Sequence, residues 1–400
     1  MRVELLVVGG GLAGATLAAA AAGAGIETAL VDRKEPAVML DAPYDGRATA
    51  LAWGSRLVFE GIGLWRGIAA DAEPILQIRV ADGSSRLFLH YDHALVGGHP
   101  LGFIVENRVL RRAIAARLDS LSNLVAIAPM AVAVVEYGES AIATLADGRQ
   151  VRADLVAAAD GRGSRLRQAA GIGALTWFYP QTGIVCTVRH AEPHRGIAVE
   201  HFLPAGPFAI LPMTEQRSSI VWTERTALAP GLLASDDAAF QSELERRFGD
   251  HLGALSIEGP RWSYPLSFLH AARYGAPRLA LVGEAAHVIH PIAGQGFNLG
   301  IRDIALLAEL IVDARRLGLD IGHPSVLERY EARRRFDAML LSTVTDGLNR
   351  LFSNEITPLR MLRDAGLAAV DRAPPLKRLF MRHAMGALGD LPRLARGEPL

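Results

Sequence analysis

The chain has 400 residues, half of them apolar, with 42 Lys and Arg against 42 Asp and Glu for a formal net charge of zero. That length favours two domains over one ordinary core, and the balanced charge leaves no footprint for nucleic acid or an acidic polymer. Lysine occurs only at Lys34 and Lys377, which excludes lysine chemistry elsewhere, and the single cysteine, Cys186, allows no internal disulfide and fits a reducing compartment.

The N-terminus reads as a strand Val3–Val8, a turn Gly9-x-Gly11-x-x-Gly14, a helix Ala15–Ala24 and a strand Thr28–Val31 that ends at Asp32. In such a βαβ unit the first glycine makes the tight turn, the second lets the backbone approach a pyrophosphate and the third lets helix pack on strand, while the terminal acid accepts from a ribose. A glycine turn in an unrelated α/β unit is the bland alternative, and the agreement of strand, helix and terminal acid argues against it. The uncharged run Leu5–Ile26 has the length of a membrane span. Its six glycines and its division into a β-rich and an Ala-rich half favour the soluble strand-turn-helix.

Arg33 to Arg47 is rich in turn formers and reads as a loop, followed by a helical pattern from Thr49 to Phe59. Taken alone, Arg47 at that junction is a solvated surface arginine. Ile75 to Asp92 alternates as two strands about Asp82-Gly83. Val109, Leu110, Ala113, Ile114 and Leu118 recur at helical spacing behind Arg108. Val125–Val135, Ala141–Ala146 and Gln150–Val156 read as a meander, and Leu155–Ala159 as a buried strand that delivers Asp160-Gly161 to its carboxyl end. Ser164, Arg165 and Arg167 follow as a helix begins. From Thr182 to Leu269 the pattern turns to strands at Gly183–Val188, Ile197–Leu203, Phe208–Pro212 and Ser219–Glu224, with a helix Asp236–Phe248 among them. This is the pattern of a second domain on an antiparallel sheet whose inner face suits an apolar ligand. Beyond Pro324 the chain is helical and Arg-rich, with Met339, Leu340, Leu341, Leu348, Leu351 and Phe352 as packing positions.

The rest is arranged around Leu279–Asp303. A short strand runs into Gly283-Glu284, a loop passes through Pro291, Gly294, Gln295 and Gly296, and an apolar helix starts near Asn298. That order presents backbone amides and a helix N-terminus to a ligand that is, or becomes, anionic. His287 and His290 read as structural turn histidines rather than a general base, and without further clustered Cys or His they make no metal site.

Three separated motifs agree with one family: GxGxxG at Gly9–Gly14, Asp160-Gly-Arg-Gly-Ser164-Arg-Leu-Arg167, and Gly283 onward. The sequence resembles the class A FAD-dependent aromatic hydroxylases along its whole length. The resemblance implies an α/β fold, p-hydroxybenzoate hydroxylase-like: a GxGxxG-type FAD-binding Rossmann-like domain, an inserted antiparallel-sheet substrate domain and a helical C-terminus. The implied boundaries are 1–74, 93–176 and 273–335 for the FAD domain, 75–92 and 177–272 for the substrate domain, and 336–400 for the helical region.

Residue by residue, the resemblance places Gly9, Gly11 and Gly14 at the FAD pyrophosphate and Asp32 at its ribose. Arg47 and Arg108 become flavin contacts, which reverses the reading of Arg47 as plain surface. Asp160 joins FAD and NAD(P)H binding, Gly283 and Glu284 face the ribityl chain, and Pro291, Gly294, Gln295, Gly296 and Asn298 wrap the ring. The flavin carries the oxygen transfer, so no catalytic side chain is assigned. One residue departs from the family pattern: Glu284 stands where Asp is usual, one methylene longer and within reach of a hydroxyl after a small shift.

Within the family, His290-Pro-Ile-Ala-Gly-Gln-Gly-Phe-Asn-Leu-Gly-Ile-Arg-Asp303 and the closing Gly389–Leu400 are most similar to the ubiquinone-biosynthesis hydroxylases of the 2-polyprenyl-6-methoxyphenol hydroxylase type. That implies a hydrophobic polyprenylated phenol and O2 as substrates, with NAD(P)H as co-substrate. No second GxGxxG occurs, so the nicotinamide is expected to bind transiently. Phe208–Pro212, beside Pro204 and Pro207, is the local apolar feature that agrees. A halogenase is disfavoured, since its lysine and WxWxIP motif are absent. A noncatalytic FAD-binding partner in a quinone-synthesis complex and a hydroxylase of another aromatic substrate stay as alternatives. The expected location is cytoplasmic, with peripheral contact at the inner membrane through the Arg-rich C-terminus or with other quinone-biosynthesis proteins.

Overall fold

The structure, a computed structural model, describes residues 1–35, 38, 46–83, 88–353, 363, 366 and 369–400, apart from the side chain of Ala293. Most of the loop expected over Arg33–Arg47 lies outside them.

Apolar runs with few charges build a sheet covered on both faces, as parallel strands require. Among the described residues its parallel strands lie in the order Leu279–Leu281, Gln150–Ala158, Arg2–Val8, Thr28–Val31, Leu124–Ile127. Val132–Tyr137 and Ala141–Leu145 extend it as antiparallel neighbours of Gln150–Ala158. The helix Leu12–Gly23, almost wholly buried, packs against Gln295–Arg316 and Asn107–Asp119. Leu5, Val7, Leu155, Ala157, Leu299 and Leu307 share its core.

A second sheet runs His287–Val288, Leu255–Ala271, Ala174–His190, Arg217–Arg225, Gly206–Met213, Ile197–Leu203, Gln77–Asp82, Phe88–Asp92. The two last strands form the expected hairpin. One join is parallel, Ile197–Leu203 against Gln77–Asp82, so the sheet is not antiparallel throughout. The long strand Leu255–Ala271, unanticipated in the sequence, pairs with Ala174–His190 through two register shifts. Phe208, Ile210, Ile220 and Trp222 pack under the helix Asp237–Phe248. Strand alternation therefore splits the apolar run Phe208–Pro212: Phe208 and Ile210 fill this core, and only Ala209 and Leu211 face the other side.

Three other expectations change. Residues 48–52 form a strand, Ala48–Ala52, before the helix Trp53–Gly61, because their backbone pairs with Gly102–Glu106; tertiary pairing overrides alanine's helix preference. Val125–Val135 divides at Pro129: Leu124–Ile127 joins the parallel sheet and Val132–Tyr137 the meander. In the helix Pro324–Phe352, Leu341 and Phe352 are buried, whereas Met339, Leu340 and Leu351 are exposed.

Candidate functional site

Glycines let the strand ends of the first sheet converge. Gly9 has φ +109°, and a Cβ there would lie 2.3 Å from the Ala159 carbonyl oxygen. At Gly14 a Cβ would lie 1.9 Å from the Gly9 carbonyl oxygen. Only glycine fits these two positions. Gly11 differs: a Cβ there meets nothing within 4 Å, so its bareness answers no packing need and leaves the backbone open to a ligand. Gly11 also begins the helix Leu12–Gly23 without a side-chain cap, which leaves the first N–H groups pointing out. At the end of Thr28–Val31, the Asp32 carboxylate accepts from the Gly10 N–H and, at 2.6 Å, from the Lys34 N–H, which holds it beside the turn.

A second helix also starts without a side-chain cap. Gly294, with φ +62°, begins the helix Gln295–Arg316 with no side-chain cap, and Pro291 begins the single turn before it. Gly294 packs on Ala50, where a Cβ would come within 2.9 Å of the alanine methyl, while one at Gly296 would meet open space. Asn298 fastens this corner. Its amide donates to the Ala50 and Gly294 carbonyls at 2.8 and 3.1 Å and accepts from the Ala52 N–H and Ser55 hydroxyl, both at 2.8 Å. With all its polar capacity engaged, the Asn298 side chain serves as an anchor of the loop.

Asp303 holds the other end. Fully buried, it accepts from the Gly283 N–H at 3.0 Å, from His287 Nε2 at 2.6 Å and from Arg334 Nε at 2.7 Å. Burial by itself pushes its carboxyl up, but His287 and Arg334 outweigh that and hold it below the ordinary carboxylate range. Arg334 continues to Asp337 at 2.6 Å and to the Leu299 carbonyl. Sequence reasoning passed over Asp303 and Arg334. The signal was there: an aspartate inside the apolar run Leu299–Ala308 is not buried without cationic partners.

Asp160 follows the strand Gln150–Ala158 and lies next to Gly9. One oxygen accepts from the Arg165 N–H at 2.8 Å, and Oδ1 is buried with no partner among the described residues, an acceptor still available to a ligand. Arg167 ties this segment to the Gly283 turn, donating to the Ala285 carbonyl at 2.8 Å. Glu284 is exposed. Arg47 and Arg108 reach one rim: the Arg47 carbonyl accepts from the Asn107 N–H, the Arg47 guanidinium lies 5.6 Å from the Trp262 ring centre, and Arg108 pairs with Glu106, itself bound to buried Arg217. His287 is committed to Asp303. His290 is buried, 3.3 Å from Gln181 Oε1, and burial pushes its imidazole down to about 4, so it is neutral.

Two uncapped helix N-termini, bare glycine backbone at Gly11, Gly161 and Gly296, and the carboxylates Asp32 and Asp160 fit a dinucleotide whose phosphates are anionic and whose sugars donate hydrogen bonds.

Comparison with known proteins agrees with this chemistry. A family model described as "FAD binding domain" matches residues 2–343. Ubiquinone hydroxylase UbiL of Rhodospirillum rubrum is 54% identical, covering 99% of this chain and 93% of that protein. The 3-demethoxyubiquinol 3-hydroxylase of Escherichia coli K12 is 34% identical, covering 96% and 98% respectively. The crystal structure of p-nitrophenol 4-monooxygenase PnpA from Pseudomonas putida superposes with a TM-score of 0.79 over 97% of this chain and 100% of that one; at 18% identity this likeness speaks for the fold.

Proposed function

Since the chain belongs to the FAD binding domain family, its cofactor is FAD, and we propose that it hydroxylates the aromatic ring of a polyprenylated phenol in ubiquinone biosynthesis, using NAD(P)H and O2. The observation that carries this reading is the 54% identity with a ubiquinone hydroxylase over nearly the entire length of both chains.

FAD supplies the redox and oxygen chemistry when bound. The chain supplies position and field. In this reading Gly9, Gly11 and Gly14 admit the pyrophosphate to the N-terminus of Leu12–Gly23, Asp32 and Glu284 accept from sugar and ribityl hydroxyls, and the free Asp160 oxygen accepts a further donor. Arg47, beside Trp262, and Arg108, paired with Glu106, would contact the flavin from the rim. The N–H groups at Gln295 and Gly296 sit where a helix N-terminus stabilises negative charge, and Asp303 and Asn298 keep that corner in place. The apolar face of the second sheet keeps water from the oxygenation site. The FAD part is assigned to 1–74, 93–176 and 273–335, and the substrate part to 75–92 and 177–272.

The test is oxidation of NAD(P)H by the FAD-loaded protein. Stimulation by a polyprenylphenol, with a product heavier by one oxygen, supports the reading; bound FAD with no stimulation by any such phenol favours a noncatalytic role.

No described helix is long and apolar enough to cross a membrane. Peripheral contact is part of the same proposal: the helix Pro374–Ala384 exposes Leu376, Leu379 and Phe380 beside Arg378 and Arg382. Replacing Leu379 and Phe380 with Glu is expected to abolish co-sedimentation with anionic vesicles, and unchanged sedimentation counts against it.

A further inference from the structure

Glu200 lies in the strand Ile197–Leu203 and takes no part in the contacts described above. Its neighbour Val199 packs with Phe208, Ile210 and Trp222 under the helix Asp237–Phe248, so alternation turns Glu200 to the opposite face of the sheet. On that face its strand mates are Ala198 and Phe202. Ala198 belongs to a cluster with Ile104 and Met213 that Ala48 and Ala50 flank. Phe202 packs with Ile292, in the turn before Gly294. Glu200 therefore stands between the two patches by which the second sheet meets the Ala48–Ala52 strand and the loop at the head of Gln295–Arg316.

Its lateral neighbours, Ala209 and Val80, carry no charge. The charged groups on the elements packed here are committed to one another: Asp82 to Arg363, Glu106 to Arg217, and Asp371 to Lys377. His290 is turned to Gln181, and Tyr91, its hydroxyl pushed up to about 12, stays neutral. Among the described residues no cation or donor meets the Glu200 carboxylate, and burial alone pushes it up to about 7. A lone carboxylate in an apolar wall is costly and adds nothing to packing. Its place is on the wall that meets, through Phe202 and Ile292, the loop at the head of Gln295–Arg316.

We propose that Glu200 is the proton acceptor for the substrate phenol, an inference that rests on the hydroxylase reading above. The phenol O–H bond breaks, its proton passes to a Glu200 oxygen, and the electron pair stays on the substrate oxygen. The products of the step are a neutral carboxylic acid and a phenolate, whose ring is the better nucleophile toward an electrophilic oxygen. Glu200 returns its proton to solvent after the product leaves.

Glu200→Gln preserves shape and removes the base; Glu200→Asp keeps a carboxylate. With FAD-loaded protein, E200Q is expected to lose product formation about 100-fold, the lower range for a general base, while retaining its flavin. The wild-type rate should rise through about pH 7, and the bound phenol should show a phenolate absorption band; both are lost in E200Q and kept, with a shifted midpoint, in E200D. A wild type with the rise and band, and an E200Q variant that keeps both, overturns the inference and leaves the hydroxylase reading standing. FAD-loaded wild type with neither phenol-stimulated oxidation nor product overturns that reading itself. Should E200Q fail to bind FAD, E200D decides: an unshifted rise overturns the assignment of the base, a shifted one supports it.

Discussion

The backbone N–H of Gly283 donates to Asp303 Oδ2 at 3.0 Å, across twenty residues of sequence, and the same oxygen accepts from His287 Nε2 at 2.6 Å. One buried carboxylate thus ties the turn after Leu279–Leu281 to the helix that presents Gln295 and Gly296. Asp303→Asn removes the charge that pairs with buried Arg334, and is expected to cost roughly 3–5 kcal/mol of stability. It should also lower FAD retention through gel filtration. The Asp303 carboxyl is held below its ordinary range when folded, so its contribution is present at neutral pH and is lost as pH falls through the folded value. The variant should therefore show a flatter acid limb in denaturant midpoints, and an acid limb like the wild type's would refute the assignment.

Asn298 makes four internal hydrogen bonds at one corner. Asn298→Ala leaves the buried Ala52 N–H and Ala50 carbonyl unmet, at about 1–3 kcal/mol for such groups. The expected readout is a weaker FAD affinity with little change in the chain's secondary structure. Equal FAD affinity in variant and wild type would remove the anchor role.

At Glu284 the expectation is modest because the side chain is exposed. Glu284→Asp should bind FAD as well as the wild type or better, and Glu284→Ala should weaken it by about tenfold, the equivalent of a single charge-assisted hydrogen bond near 1.4 kcal/mol. Flavin fluorescence titration measures both. An alanine variant with wild-type affinity would mean that the extra methylene carries the carboxylate away from the cofactor.

Glu200 also makes a prediction about stability alone. Its folded value near 7 lies above the ordinary 4.5, so its stabilising protonation is complete below the unfolded value and is lost as pH rises through 7. Glu200→Gln should therefore stabilise the protein more at pH 8 than at pH 5, by an increment of up to roughly 3 kcal/mol. Thermal melts at the two pH values provide the check, and an increment of zero would place the carboxylate in solvent.

The sequence by itself determined the dinucleotide turn and the loop of residues 283–296, because their chemistry is local. The Gly9 carbonyl excludes a Cβ at Gly14 five residues on, and the helix that starts after Gly11 without a side-chain cap leaves its first N–H groups without intrahelical partners; at Gly9 itself the exclusion comes from Ala159, across the sheet. The strand Ile197–Leu203 was legible from its alternation for the same reason. Three things only the tertiary structure decided. Ala48–Ala52 became a strand because Gly102–Glu106 offers it a ladder, a partner fifty residues away. Asp303 became the keystone of the Gly283 turn because the His287 imidazole and the Arg334 guanidinium, on different elements, converge on it inside the core. Glu200 became a candidate base because alternation needs a reference side: once Val199 is seen under the Asp237–Phe248 helix, the next residue has to face the site. Spacing along a chain sets which residues share a face, and only packing says what that face meets.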